Sequence, residues 1–321
     1  GNRYIEKTID FLVHKINLKK EVSLMNVGII SSREHIKFAQ IMLLSLVENC
    51  SEFIDLYLFH TDLKETEYNV LAVNKTKIKV HAIKVDASLF DGIKVKRHFG
   101  LYSYFRLLAP YILPKELERI LWLDTDLIIC KDLAEYYYSD FHQACLIASP
   151  SYMSIGGGGL CRELIDKYRV EEDYTYFNAG VLIMNLPEMR KTNSLEAILK
   201  MVYDDRLLLE YIDQDVLNIC YWNRCKLTSQ YLYNFAPKDA CVDRNINAKS
   251  IENAYIIHYC GALKPSDGRY RELGFSQFWK YAKRIDYKAY LRVSAWHAFY
   301  VIGRKIKGLT KGKKRKNKYN E

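Results

Sequence analysis

Residues 119–130 read R-I-L-W-L-D-T-D-L-I-I-C: an apolar run is cut off by two carboxylates one residue apart, and the apolar run then resumes. A run this apolar, with no polar alternation, reads as a strand covered on both faces, as in a parallel sheet flanked by helices. Period-2 geometry puts Asp124 and Asp126 on one side at the carboxyl end of that strand, where open α/β sheets bind ligands. Two carboxylates brought together repel unless something positive lies between them. A divalent cation on hard oxygen ligands, shared with a substrate's phosphates, is the natural candidate. D-x-D alone is also what a polar turn after a strand looks like.

Runs of strand character recur at 25–30, 54–59, 78–85, 127–130, 144–149, 180–186 and 254–259. Between them lie stretches of helical period, including Ile36, Ala39, Gln40, Leu43, Leu44 and Val47; Tyr102, Phe105, Arg106 and Ala109; and Leu195, Ile198, Leu199 and Val202. This alternation predicts an α/β fold with both sheet faces covered. With no repeat and no Pro- or Ser-rich linker, one domain is expected over 24–283. Residues 1–23 are expected to add an amphipathic helix (Ile5, Ile9, Leu12, Val13, Ile16) and 284–321 a basic, aromatic tail.

Composition narrows the class. A chain of 321 residues, 49% hydrophobic, buries a large core, which excludes global disorder. No apolar run approaches the roughly 20 residues of a spanning helix, and the charged N-terminus lacks the apolar stretch of a signal peptide, so a cytoplasmic protein is expected. The eight cysteines form no C-x-x-C pair, and free buried thiols are expected ahead of disulfides or a zinc site. The net charge of +10 is unevenly placed: from Lys280 onward 14 basic residues face only Asp286 and Glu321, leaving a near-neutral body.

A second strand ends in A-Y-I-I-H-Y-C-G-A-L-K-P (254–265). A lone His there is usually structural, but the same strand-end logic offers His258 to a cation, Gly261 for close backbone approach to a phosphate and Lys264 to meet its charge. With S-Y-F-R-L (103–107), L-D-T-D (123–126), Y-F-N-A-G-V-L-I-M-N-L (176–186) and D-Q-D-V-L-N (213–218) in order, the sequence resembles glycosyltransferase family 8, the retaining GT-A enzymes that include bacterial lipooligosaccharide galactosyl- and glucosyltransferases.

The resemblance implies a GT-A, Rossmann-like, mainly parallel sheet and a hexosyltransferase moving Glc or Gal from a UDP-sugar to a glycan or glycolipid in bacterial surface polysaccharide synthesis. Asp124, Asp126 and His258 would bind Mn²⁺, with Mg²⁺ as the alternative. Gly261 and Lys264 would contact the diphosphate, Arg106 the donor, and Asn178, Ala179 and Asp213 the sugar. Gln214 would lie near the anomeric carbon, and with Asp213 it makes the catalytic pair. An amide is a poor nucleophile, which favours same-face attack over a covalent double displacement; Asp215 is the nearby carboxylate a double displacement would need. The sequence departs from the family pattern at I-I-S-S-R-E-H (29–35), where Ser31 and Ser32 are left to hold the nucleoside with Glu34 as the nearest acid, and at Ser149-Pro150-Ser151, where an acid often faces the donor sugar. These departures keep open a non-catalytic nucleotide-sugar-binding or scaffolding role. The glycine run in 152–160 reads equally as a loop over the active site or a plain connector. Aromatics beside a polybasic cluster in the tail point to an anionic membrane surface, the inner face of a bacterial membrane, rather than to nucleic acid; a solvated tail is the other reading.

Overall fold

The computed structural model describes residues 24–93, 100–151, 159–241, 243–247, 249–270, 272–296 and 298–299. The helix expected over 1–23, most of the glycine-rich segment and the tail beyond 299 lie outside the described residues. The chain builds a mixed, mainly parallel sheet from β1 (Leu24–Ile30), β2 (Phe53–His60), β3 (Ile78–Lys84), β4 (Arg119–Leu123), β6 (Leu146–Pro150), β7 (Phe177–Asn185) and β8 (Cys225–Leu227), in the order β3-β2-β1-β4-β7-β6-β8. Strand β7 is antiparallel to both neighbours, β4 and β6; the other pairings are parallel. A two-stranded antiparallel sheet pairs β5 (Leu127–Ile129) with β9 (Ile256–His258). Every strand run read from the sequence is present. The short edge strand β8 and the helix Ile212–Tyr221 carry no comparable signal.

Three apolar clusters hold the layers together, one on each sheet face and one outside. Helix Ile36–Asn49 explains its own composition: Met42, Leu43 and Leu46 pack on the sheet, while Ile41 and Leu44 face the C-terminal helix Phe275–Ile285. A helix covered on both sides needs apolar residues on both sides. The packing continues past Lys283: residues 287–296 are helical, Val293 is buried, and Tyr290 lies 5.5 Å from Trp279, centroid to centroid. All eight cysteines are free; Cys161 and Cys241 are exposed rather than buried. Among the described residues no helix is long and apolar enough to cross a membrane.

The strand order places the site. The sheet grows outward from β1 through β2 to β3, then the chain returns to place β4 on the other side of β1. That reversal opens a crevice at the carboxyl ends of β1 and β4. Gly28 makes the β1–β4 contact close, because a Cβ there would lie 2.5 Å from the fully buried Trp122 ring. Gly28→Ala therefore overpacks the sheet centre, at a cost of about 1–3 kcal/mol. The measurable outcome is a melting temperature several degrees below wild type; an unchanged midpoint would contradict this account of the β1–β4 contact.

Candidate active site

Strand β4 ends at Leu123 and delivers Asp124 and Asp126 into the crevice. Because β7 runs the other way, its first residues rather than its last lie there: Leu123 pairs with Val181, and Asp124 N–H donates to the Gly180 carbonyl at 2.8 Å. The β5–β9 pair does the same for the second strand end, setting Leu127 opposite His258, with Tyr259 N–H donating to the Asp126 carbonyl at 3.0 Å. One ligand atom from each of Asp124, Asp126 and His258 lies within 4.8 Å of the others. His258 Nε2 is 3.3 Å from Asp126 Oδ1 and 3.8 Å from Asp124 Oδ2.

Basic groups balance these acids. Arg106, 5% exposed on helix Phe105–Ile112, donates from Nη2 to Asp124 at 2.7 Å and from Nη1 to the Ala179 carbonyl, and its Nε is ion-paired with Asp213 Oδ2 at 2.7 Å. Lys264 pairs with Asp126 and donates to the Tyr259 carbonyl at 2.6 Å. Burial alone would raise Asp126, but Lys264 and His258 outweigh it and hold the carboxyl far below the usual carboxylate range. Burial works against charge on His258 too, yet Cys260 and Asp126 beside it bring the imidazolium up to about 10. For Asp213 burial prevails: the Arg106 ion pair pulls down, Asp124 adds repulsion, and the carboxyl is pushed up to about 7.

Amide orientations follow from donors that have no alternative. The Gly180 N–H can only donate, and it does so to Asn178 Oδ1 at 2.9 Å, which also accepts from Asn234 Nδ2 at 2.9 Å. Asn234 Oδ1 thus faces His258 Nδ1 at 2.8 Å, making His258 the donor there and leaving the Nε2 lone pair of the neutral ring aimed at the two carboxylates. Likewise Ala179 N–H donates to Gln214 Oε1 at 2.9 Å, and Asn178 Nδ2 adds a bond at 3.2 Å. This turns the Gln214 carbonyl to the backbone and its NH₂ group away from it. Asp215, 1% exposed, accepts from Tyr176 Oη and from the Glu210 and Tyr211 N–H groups at 2.7 and 2.8 Å. It clamps the turn in which Ile212 takes φ +39°, a strained value for a β-branched residue, and so helps present Asp213 and Gln214. Asp215 is absent from the cavity lining, which argues against a nucleophile at that position.

A cavity of about 370 Å³ brings together Arg106, Asp124, Asp126, Asn178, Ala179, Asp213, Gln214, His258, Gly261 and Lys264. Gly261 has φ +93°, which glycine adopts without strain. Ser31 and Ser32 lie outside this lining, at the end of β1: Ser31 Oγ donates to the Ser32 carbonyl at 3.2 Å, and Ser32 Oγ is 2.9 Å from His35 Nδ1. Ser151, from the segment that lacks the family's acid, lines it. Sequence reasoning missed Gly180, Asn234, Lys238 and Asp239. Gly180 lies inside the N-A-G run already singled out, and its neighbours explain it: a Cβ there would be 2.3 Å from His258 Cε1 and 2.7 Å from Asp124 Oδ2.

A mixed sheet in this order, with a polar, cation-capable cavity where its parallel strands end, is a GT-A architecture. The chain belongs to glycosyltransferase family 8, whose model matches residues 26–266. It is 27% identical over 244 residues to a lipopolysaccharide 1,2-glucosyltransferase of Escherichia coli, covering 71% of this chain and 68% of that protein. It is 21% identical over 270 residues to general stress protein A of Bacillus subtilis (strain 168), covering 80% and 89%. The galactosyltransferase LgtC, solved with donor and acceptor sugar analogues, superposes with a TM-score of 0.69 at 19% identity over 82% of this chain and 96% of that one.

Gly180→Ala forces His258 and Asp124 apart by about an ångström, a displacement on the scale that costs about 10²-fold in rate. Glycosyl transfer should fall by at least that factor while far-UV circular dichroism stays that of the wild type; a variant with near-normal turnover would refute this close-approach role.

Proposed function

We propose that this chain is a divalent-cation-dependent, retaining hexosyltransferase that moves Glc or Gal from a UDP-sugar to a glycan or glycolipid acceptor of a bacterial cell surface. The observation that carries the reading is the convergence of Asp124, Asp126 and His258 at two strand ends beside Arg106, Asp213 and Gln214.

The donor set suits Mn²⁺, with Mg²⁺ as the alternative: two hard carboxylates, plus an imidazole whose Nε2 is turned toward them by Asn234. Asp124, Asp126 and His258 would hold a divalent cation, which would supply charge neutralisation for the donor diphosphate and Lewis-acid stabilisation for the departing UDP. The remaining work falls to the chain. Lys264, at the end of the Gly261 turn, supplies a positive charge to the diphosphate, and the positive φ of Gly261 brings backbone close to it. Arg106 holds Asp213 in place, and Asp213 and Asn178 meet sugar hydroxyls. Gln214 presents its NH₂ group to the reacting centre. An amide with its carbonyl committed to Ala179 N–H stabilises charge and position rather than forming a covalent adduct, which supports attack on the face the leaving group vacates.

Attachment to an anionic membrane surface is the second half of the proposal. Tyr287, Leu291, Trp296 and Phe299 are exposed by 59%, 51%, 65% and 75% on the last described helix. Tyr287, Leu291 and Phe299 share the face opposite buried Val293, with Lys288 and Arg292 among them, the mixture an anionic interface attracts.

UDP release from UDP-Glc and UDP-Gal should require Mn²⁺ or Mg²⁺, stop with EDTA, and fall by at least 10²-fold in Asp126→Asn; metal-independent turnover surviving that substitution would overturn the catalytic reading. Cation affinity should also rise with pH. His258 is protonated below about 10 without the cation, so proton and cation compete for it and acid favours the proton. Titration in buffers of different ionisation enthalpy should therefore show proton release on Mn²⁺ binding. For the membrane, Leu291→Glu with Phe299→Glu should cut co-sedimentation with phosphatidylserine-containing vesicles several-fold, and equal binding would remove that half.

A further inference from the structure

The D-Q-D-V-L-N run (213–218) brings Asp213 and Gln214 to the cavity and ends in Asn218, which is fully buried within helix Ile212–Tyr221 and absent from the cavity lining. Asparagine is a poor helix former because its side chain competes for backbone groups. Here that competition is directed at one strand residue. Asn218 Oδ1 accepts from Phe177 N–H at 2.9 Å, and its Nδ2 donates to the Phe177 carbonyl and to the Gln214 carbonyl, each at 2.9 Å. The Phe177 N–H can only donate, so one orientation of the amide makes all three bonds.

The sheet explains why Phe177 needs such a partner. On one side β7 meets β6 through the preceding residue, with Ser151 N–H donating to the Tyr176 carbonyl at 2.8 Å; in an antiparallel ladder this turns the Phe177 groups to the opposite edge. On that edge β4 has already ended, because its last paired residue, Leu123, lies opposite Val181. Asn218 thus stands in for a strand residue and satisfies a buried N–H and C=O that would be costly to leave unmatched.

The same arrangement recurs one step along. Two residues further on β7, Ala179 N–H donates to Gln214 Oε1 at 2.9 Å, and Gln214 lies four residues before Asn218 on the helix. Two strand residues advance about 6.6 Å and four helical residues about 6 Å, so the two rows of groups match. Two amides peg the helix to the strand, one inside the cavity and one behind it.

We propose that Asn218 is a positioning residue for the transfer reaction: it sets the axial position of helix Ile212–Tyr221 against β7 and thereby holds the Gln214 NH₂ group at the reacting centre. The proposal rests on the reading of Gln214 as the group beside the anomeric carbon.

The test is a double-mutant cycle on UDP release from UDP-Glc and UDP-Gal, with wild type, Asn218→Ala, Gln214→Ala and the double variant, and with Mn²⁺ affinity taken from calorimetry. Asn218→Ala should lower kcat by about tenfold or more, the scale of a sub-ångström to ångström misplacement, while donor KM and Mn²⁺ affinity stay within about threefold of wild type. In the Gln214→Ala background the same change should cost less than about threefold, since the group it positions is gone. A purely structural role would instead lower the melting temperature and the active fraction while kcat per Mn²⁺-binding site held; that pattern, additive losses, or a loss carried by KM would each overturn the assignment. Asn218→Asp, which keeps the shape and the acceptor oxygen, carries the test where the alanine variant does not fold. Ionised, it repels the Phe177 and Gln214 carbonyls; protonated, it donates to one of them again, so its kcat relative to wild type at the same pH and saturating Mn²⁺ should rise as pH falls, and a flat or falling ratio would count against the proposal. Wild type that releases no UDP, or Gln214→Ala with unimpaired turnover, takes down the reading on which this rests; an impaired Gln214→Ala beside a normal Asn218→Ala takes down this inference alone.

Discussion

Three carboxylates, Asp124, Asp126 and Asp213, crowd one end of the sheet, and most of the site's architecture makes that crowding tolerable. Arg106 does most of this. Its planar fork reaches two of the acids and the Ala179 carbonyl at once, tying together helix Phe105–Ile112, the turn after β4, the start of β7 and helix Ile212–Tyr221. A lysine carries the same charge but not three fixed donor directions. Lys264 and the His258 imidazolium complete the balance, so without a bound cation the three acids meet three positive groups.

Behind these charges lies a layer of amides and hydroxyls that fixes orientation. Backbone N–H groups of Ala179 and Gly180 set Gln214 and Asn178, and through Asn234 the chain of bonds reaches His258. Asp215 spends its carboxylate on the Tyr176 hydroxyl and on the strained turn at Ile212. Such a layer costs stability locally and returns precision, the usual trade at a functional site. Asp239 stands outside it, with its inner oxygen unmatched among the described residues.

The sequence was most legible where geometry is regular. An apolar strand that ends in acids shows both its burial and the side its acids occupy, so Asp124, Asp126 and His258 could be placed at strand ends from period and punctuation alone. Ser31 and Ser32 were legible only as residues after β1, and the structure keeps them outside the main cavity. Asn234, Lys238 and Asp239 were invisible because they occupy a turn and a one-turn 3-10 segment, where no period relates a residue to its neighbours in space. Gly180 was quoted within a motif yet not understood: its need to be glycine comes from His258, a contact that only the fold creates. Residues 287–296 were read as part of a basic, aromatic tail; Val293 and Tyr290 pack onto a surface that the sequence does not display.

The β5–β9 pair has a consequence for how the protein comes into being. Lys264 and Asp126 are 138 residues apart in the chain, and His258 reaches its partners only through that small sheet. During synthesis all seven strands of the main sheet emerge before β9, so Asp126 waits without its imidazole and ammonium partners. Arg106 already balances Asp124 and Asp213 within that stretch, so Asp126 alone depends on residues made after the main sheet, and the cation-capable cluster is complete only once the chain beyond residue 258 has been made.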